Sequence, residues 1–87
     1  MITIIGRQWQ SRTYGTTYYT AEILVTGKDP VKTPAECGYG EQYLQTAVAA
    51  LVAAGDLPAG YRYCGTADLR ERGISWTSID VARERDL

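Results

Sequence analysis

The sequence predicts a single α+β domain in which a small antiparallel sheet packs on one main helix, with a second short helix beside it. Two observations carry this fold class. Residues 2–10 and 17–27 are rich in β-branched and aromatic side chains and flank a glycine-containing turn, which is typical of a hairpin. Residues 41–55 repeat apolar side chains at helical spacing. A chain of 87 residues is long enough for one domain, residues 1–87, and too short for two.

The hairpin begins with ITIIGRQWQ, for which we predict a strand with a bulge at Gly6. After the turn SRTYGT, apolar and polar residues alternate in the second strand. The more apolar set should face the core: Tyr19, Ala21, Ile23 and Val25. The following segment, PVKTPAEC, predicts a short edge strand, because Pro30 and Pro34 cannot donate to the hydrogen bonds at the centre of a sheet.

The main helix is predicted over EQYLQTAVAALVAAG, residues 41–55. One apolar stripe follows the spacing i, i+3, i+4, i+7 and i+8: Leu44, Ala47, Val48, Leu51 and Val52. Gly55 should end the helix, and Pro58 follows it. The later turns of the opposite side carry alanines. They either permit close approach of another element or subunit, or simply reflect the high helix propensity of alanine.

The last third of the chain predicts a short helix and a final strand. GTADLRERG suggests a helix with Thr66 as its N-cap and Gly73 as its end. ISWTSIDVAR predicts a strand, although its alternation does not decide which face is buried. The charged tail RERDL is expected to fray. Its arginines, together with Arg70 and Arg72, alternate with acids and predict an exposed, ion-paired surface.

Composition excludes several classes of function. Nine basic and ten acidic residues give a net charge of −1, so no overall field attracts nucleic acid. The chain contains no histidine, which removes the usual zinc sites and every His-containing triad, and we expect no metal, no cofactor and no enzymatic activity. We expect Cys37 and Cys64 to be reduced, partly buried thiols, with a disulfide between them as the alternative. The short apolar start resembles neither a signal peptide nor a membrane span, so we expect a cytoplasmic protein without a membrane partner.

Two glycine-containing stretches are candidate binding elements. In CGYGEQYLQTA, residues 37–47, Gly38 and Gly40 precede a helix start whose free N–H groups could hold an anion; the alternative is an ordinary turn before a helix. In RTYGTTYY, Arg12 offers a guanidinium, and threonines and tyrosines offer hydroxyl groups and rings that stack. The alternative is that these residue types favour strands for packing reasons alone.

The candidate ligand-binding set combines both stretches with one upstream arginine. It consists of Arg7, Arg12, Thr13, Tyr14, Thr16, Tyr18, Tyr39, Gly40, Gln42 and Tyr43. Seven tyrosines and no phenylalanine give every aromatic ring outside the two tryptophans a hydroxyl group, which suits a polar binding surface. The set forms one site only if the two stretches converge in space.

The stretches RTYGTTY and CGYGEQYLQTA and the terminal RERDL together resemble a group of small, uncharacterised proteins encoded by bacteriophages and prophages. The resemblance covers most of the chain and is weakest over residues 64–73. It implies the cytoplasm of an infected bacterium as the setting, and it brings no established activity. Small phage proteins of this size often act stoichiometrically on a host protein or a signalling nucleotide.

The leading hypothesis is therefore a phage accessory protein that sequesters a nucleotide-like signal in counter-defence. The arginines would engage phosphate, the tyrosines would stack on the base, and a homo-oligomer would form through the alanine-rich helix side. The alternative is a protein–protein inhibitor of a host defence complex, of the anti-CRISPR kind, with a tyrosine-rich sheet face as its contact surface. A small nucleotide-processing enzyme ranks last, because the chain has no histidine.

Overall fold

The computed structural model of the protein describes residues 1–38, 40–63 and 65–87, and for Arg62 and Tyr63 it describes the backbone alone. The predicted α+β class is confirmed, with a sheet on one main helix and a second short helix. The elements are β1 (Ile2–Gln10), β2 (Thr17–Val25), β3 (Val31–Lys32), β4 (Glu36–Cys37), α1 (Gln42–Ala53), α2 (Thr66–Glu71) and β5 (Ile74–Asp80). Short 3₁₀ turns lie at Ala59–Tyr63 and Glu84–Asp86.

The sheet has the strand order β3-β2-β1-β5, and β4 also pairs with β2. The predicted hairpin is confirmed: β1 and β2 pair antiparallel from Ile2 opposite Val25 to Gln10 opposite Thr17. The proline-containing segment also lies at an edge, as predicted, where β3 and β4 follow one another along the outer side of β2. Between them, the buried Thr33 hydroxyl accepts a hydrogen bond of 2.9 Å from the amide of Ala21.

The predicted antiparallel sheet needs one correction, because β5 runs parallel to β1 and the sheet is mixed. The direction of α1 explains this. The loop before α1 lies at the carboxyl end of β1, where the Gln8 side chain donates to the carbonyl of Gly40 at 2.7 Å. After α1, Asp56 contacts Lys28 at the opposite end of the sheet. The helix therefore returns the chain to the end at which β1 begins, and β5 starts there beside Ile2.

The core lies between α1 and one face of the sheet. The face predicted for β2 is confirmed, because Tyr19, Ala21 and Ile23 are buried and Val25 packs against the same cluster. The predicted stripe of α1 is also buried, except that Val52 is only half-buried. Strand β5 contributes Ile74 and the half-buried Trp76 to the core. The buried face of β5, which the alternation did not decide, is therefore the one that carries these two residues.

Gly6 does not form the predicted bulge. It lies in regular register, opposite Ala21 on β2 and Ser78 on β5. A Cβ at position 6 would lie 2.4 Å from Cγ of Tyr43, so the glycine provides the space that the Tyr43 ring occupies. Tyr43 is 3% exposed and belongs to the core. The first turn of α1 therefore rests directly on the backbone of β1.

The carboxyl ends of both helices follow the local sequence. Gly55 has a φ of 83°, and the amides of Gly55 and Asp56 donate to the carbonyls of Val52 and Leu51, which forms a Schellman motif at the predicted end of α1. Gly73, with a φ of 86°, ends α2 in the same conformation. The predicted N-cap of α2 is wrong, because Gly65 occupies that position and Thr66 is already helical.

No helix in the described part of the chain is long and apolar enough to cross a membrane.

The C-terminal strap, residues 82–87, crosses the sheet face opposite α1. It leaves β5 at Val81, whose amide donates to the carbonyl of Gln8 at 2.8 Å. It ends at Leu87, whose carbonyl accepts a hydrogen bond from the Lys32 ammonium on β3. Glu84–Asp86 form a 3₁₀ turn and Leu87 is half-buried, whereas residues 82–86 are exposed, so fraying of this segment stays a prediction.

We expect Gly6→Ala to destabilise the protein, because the added methyl group would overlap the Tyr43 ring. Overpacking of this kind costs about 1–3 kcal/mol. Urea unfolding, followed by circular dichroism, measures the change. Gly60→Ala is the matched control, since a Cβ at position 60 meets no atom within 4 Å. Equal stability of the two variants would contradict the assigned role of Gly6.

Candidate functional site

A crevice of about 910 Å³ opens at the carboxyl ends of β1 and β5. It exists because the two parallel strands stay paired only as far as Gln8 and Asp80. Beyond that point, β1 continues to Gln10 and enters the hairpin turn, whereas the chain after Val81 turns away as the strap. The end of β1, the hairpin turn and the start of the strap therefore form the walls.

The lining combines charges of both signs with side-chain amides. It includes two guanidinium groups, two carboxylates and two amides, from Arg12, Arg83, Asp80, Glu84, Gln8 and Gln10. The guanidinium groups can bind a phosphate or carboxylate through paired N–H donors. The carboxylates can accept hydrogen bonds from hydroxyl or amino groups. Because the formal charges balance, the crevice suits a ligand that has both an anionic group and hydrogen-bond donors.

An aromatic pair stiffens one wall of the crevice. Trp9, which lines it, lies directly opposite Tyr18 in the hairpin. Their ring centroids are 5.9 Å apart at an interplanar angle of 27°, so the rings are stacked. Both rings are half-buried, on the sheet face that is opposite α1. A ring held by a cross-strand partner gives a planar ligand a preformed stacking surface.

The two glycine-containing stretches contact each other directly: the amide of Gly38 donates to the carbonyl of Thr17 at 2.9 Å, and the hydroxyl groups of Tyr19 and Thr46 are 2.7 Å apart.

Gln8 lines the crevice, and its side-chain amide donates to the carbonyl of Gly40. However, the lining described for the crevice includes Arg12 and Thr13 from the first stretch and neither Gly40 nor Gln42 from the second. The stretch at the start of α1 therefore contacts the crevice wall through the Gln8 side chain and is not part of the described lining.

The other residues predicted from the hairpin stretch are spread around its turn. Tyr14 is 80% exposed at the tip. The carbonyl of Thr16 accepts a bond of 2.8 Å from the amide of Ser11, which closes the turn. Tyr18 reaches the crevice only through its stacking on Trp9.

Arg7 and Tyr43, two of the predicted binding residues, make their contacts elsewhere in the fold. Arg7 lies on the face opposite α1 and forms a half-buried ion pair with Glu22, with 3.4 Å between Nη2 and Oε1. Tyr43 fills the interior against Gly6. Gln42 begins α1 and is exposed. The prediction for Tyr39 lies outside the described residues.

The hydroxyl of the buried Tyr19 joins three elements. It donates to a carboxylate oxygen of Glu36 on β4 at 3.0 Å, and the Thr46 hydroxyl of α1, 2.7 Å away, then acts as donor to it. Burial raises the pKa of Tyr19 above its ordinary value, the bond from Thr46 opposes the rise, and Glu36 adds to it. Burial likewise raises the pKa of Tyr43, with Glu41 adding to the rise and Ser78 opposing it. The hydroxyl groups of Tyr19 and Tyr43 therefore form contacts within the fold.

Sequence reasoning missed most of the crevice. Trp9, Asp80, Arg83 and Glu84 come together only because β5 lies parallel to β1, and no local pattern specifies that neighbour. Two other arginines lie over rings: Arg70 is 5.2 Å from the centroid of Trp76, and Arg72 is 5.5 Å from that of Tyr61. The expected ion pairing of these two is thus replaced by cation–π contacts.

Cys37 does not match its predicted environment. It lies on β4 and is exposed, whereas a partly buried thiol was expected. The short β4 pairs with β2 on one side, which leaves its side chains at the edge of the sheet. The prediction for Cys64 lies outside the described residues.

No family model, curated protein or solved structure matches this chain.

Stability should fall as the pH rises above about 10, the ordinary pKa of tyrosine. Since the pKa values of Tyr19 and Tyr43 are raised in the folded state, the folded protein holds these protons more tightly than the unfolded chain. Their contribution is fully present below the unfolded pKa and is lost as the pH rises through the folded values. Urea midpoints measured across this range should decline.

Tyr19→Phe should make that decline shallower, because it removes one of the two groups. Thr46→Val is the control, since it loses the hydrogen bond between the two hydroxyl groups but keeps the ionising hydroxyl of Tyr19. It should lower stability at neutral pH and retain the alkaline decline. A wild-type slope in Tyr19→Phe would rule out the assignment to Tyr19.

Proposed function

We propose that the protein acts by stoichiometric binding of a small, phosphate-bearing ligand of the nucleotide class in the crevice. The observation that carries the proposal is the convergence of Arg12, Arg83 and the stacked ring of Trp9 on one cavity of about 910 Å³. Small-molecule sites commonly have volumes of about 300–1,000 Å³. A nucleotide offers the matching parts, namely a phosphate for the guanidinium groups and a planar base for the ring.

The phosphate is assigned to Arg12 and Arg83. They approach the crevice from different walls, Arg12 from the hairpin turn and Arg83 from the strap, and both are exposed. Within the described residues neither has an ion-pair partner, whereas Arg7 is paired with Glu22. Guanidinium groups without a partner can bind an anion without first breaking an internal ion pair.

The carboxylates narrow the class of nucleotide. Asp80 and Glu84 would accept hydrogen bonds from ribose hydroxyls or a base amine, and they cancel the charge of the two arginines. A triphosphate would bring more negative charge than this balance favours. We therefore favour nucleoside monophosphates and cyclic mono- or dinucleotides, which carry less negative charge per base than a triphosphate. In a phage setting, retention of such a molecule would withdraw it from host signalling.

Binding is preferred to turnover because of the groups at hand. The chain has no histidine to serve as a general base or acid near neutral pH. The crevice is formed largely by a turn and a strap at the end of a sheet. Such an arrangement suits retention of a ligand in stoichiometric amounts.

Isothermal titration calorimetry should detect one site per chain in a panel of nucleoside monophosphates and cyclic mono- and dinucleotides. Arg12→Ala and Arg83→Ala should each weaken binding about tenfold or more, because a hydrogen bond to a charged group contributes about 1.5–3 kcal/mol. Arg85→Ala is the charge-matched control, since Arg85 is an exposed strap residue outside the described lining. It should bind as the wild type does.

Two outcomes would overturn the proposal. One is the absence of heat across the whole panel at micromolar protein. The other is equal weakening by Arg85→Ala and by the two crevice variants, which would indicate only a general loss of positive charge. Circular dichroism of each variant separates loss of binding from loss of fold.

A protein–protein inhibitor is the second candidate, favoured by the 80% exposure of Tyr14 at the hairpin tip. Tyrosine is enriched in protein interfaces, and an exposed ring at a turn is well placed for insertion into a partner. On this reading Tyr14→Ala would abolish the effect on a host defence complex, and Arg12→Ala would retain it. The nucleotide hypothesis expects the opposite result, in which Arg12→Ala loses the effect and Tyr14→Ala retains it.

A further inference from the structure

The two edges of the sheet differ in how well they are protected against pairing with a strand of another chain. The β2 edge is covered by β3 and β4, a segment that carries Pro30, Pro34 and Lys32. Short strands, prolines and lysines are the devices with which proteins prevent unwanted pairing at sheet edges. The other edge is β5, which has none of these devices in ISWTSID and pairs with no strand on its outer side within the described residues.

The free backbone groups of β5 can be identified from its pairing with β1. The amide of Val81 donates to the carbonyl of Gln8. Because amide direction alternates along a strand, the amides of residues 75, 77 and 79 also point toward β1. The N–H and C=O groups of Trp76, Ser78 and Asp80 then point away from the sheet. Residues 77–80 are all exposed, as an open edge requires.

We propose that the β5 edge pairs antiparallel with β5 of a second copy of this chain, about a two-fold axis at Thr77. In this register Thr77 lies opposite the partner's Thr77, Trp76 lies opposite the partner's Ser78, and Ile74 lies opposite the partner's Asp80. Every residue of β5 has a partner, and every outward N–H and C=O group of the strand lies in a hydrogen-bonded pair. A two-fold interface of this kind joins the two sheets into one continuous sheet.

The side chains of β5 are compatible with this self-pairing. On the face toward α1, the large Trp76 lies opposite a small serine. The central pair consists of two threonines, a favourable cross-strand pair. The only formal charge of the strand, Asp80, lies at its end and opposite an apolar residue, so no like charges meet.

The charges beside the strand favour a second copy as the occupant. Arg70 and Arg72 end α2 and immediately precede β5. In the antiparallel pair, this basic end of one copy lies next to Asp80 of the other, once on each side of the two-fold axis. A foreign strand would need to supply that complementarity independently. This inference does not rest on the proposed nucleotide binding.

Static light scattering after size exclusion, with loads up to hundreds of micromolar, tests the proposal. The wild type should show a mass of twice 9.6 kDa. Thr77→Lys and Thr77→Glu should each halve that mass, because two like charges then face each other across the axis. An equimolar mixture of the two variants should restore the dimer mass, since the opposed charges become complementary.

Ser75→Lys is the control, because it adds the same charge on the same face but opposite Ile79, and it should remain dimeric. A monomeric wild type would overturn the proposal. So would a Thr77→Lys variant that stays dimeric, because the interface would then lie elsewhere, as on the alanine-rich side of α1. Failure of the mixture to recover would exclude the two-fold axis at Thr77. Nucleotide titration of the Thr77→Lys variant tests the crevice separately from the dimer, because Thr77 is not among the described lining residues.

Discussion

The contact between the Tyr43 ring and the bare backbone at Gly6 is the constraint on which the other features depend. It places the first turn of α1 directly on the middle of β1. With the helix start fixed there, the carbonyl of Gly40 comes within reach of Gln8, and Thr46 comes within reach of the Tyr19 hydroxyl. These polar contacts each contribute modestly, but they act together because one packing contact positions all of them.

The direction of α1 then determines where the crevice lies. A helix that begins at the carboxyl end of β1 must deliver the chain to the amino end, so β5 runs beside β1 in the same direction. Two parallel neighbours that end together leave their following segments to diverge, here as the hairpin turn and the strap. Open sheets commonly bind ligands at the carboxyl ends of their strands, where such divergence creates a cleft.

Local patterns predicted the parts of the fold that depend on neighbours in sequence. The alternation in β2, the stripe from Leu44 to Leu51 and the ends at Gly55 and Gly73 all follow from periodicity or backbone conformation. The tyrosines show where such patterns fail. Tyr14, Tyr18 and Tyr43 are exposed, stacked and buried in turn, because only tertiary packing decides what surrounds a ring. The crevice escaped prediction for the same reason, since Arg12 and Arg83 lie at opposite ends of the chain.

The position of β5 links the two proposals, because it is the last strand and, within the described residues, pairs with a strand on one side only. Its carboxyl end at Asp80 forms part of the crevice, while its outer edge is open along its length. In the two-fold pairing, the partner's Ile74 lies beside Asp80, so the turn between the partner's α2 and β5 would flank the crevice. The two crevices of such a dimer lie at opposite ends of the paired strands, each bounded by its own strap. Each would bind one ligand independently, and dimerisation would alter affinity only through the wall at Asp80.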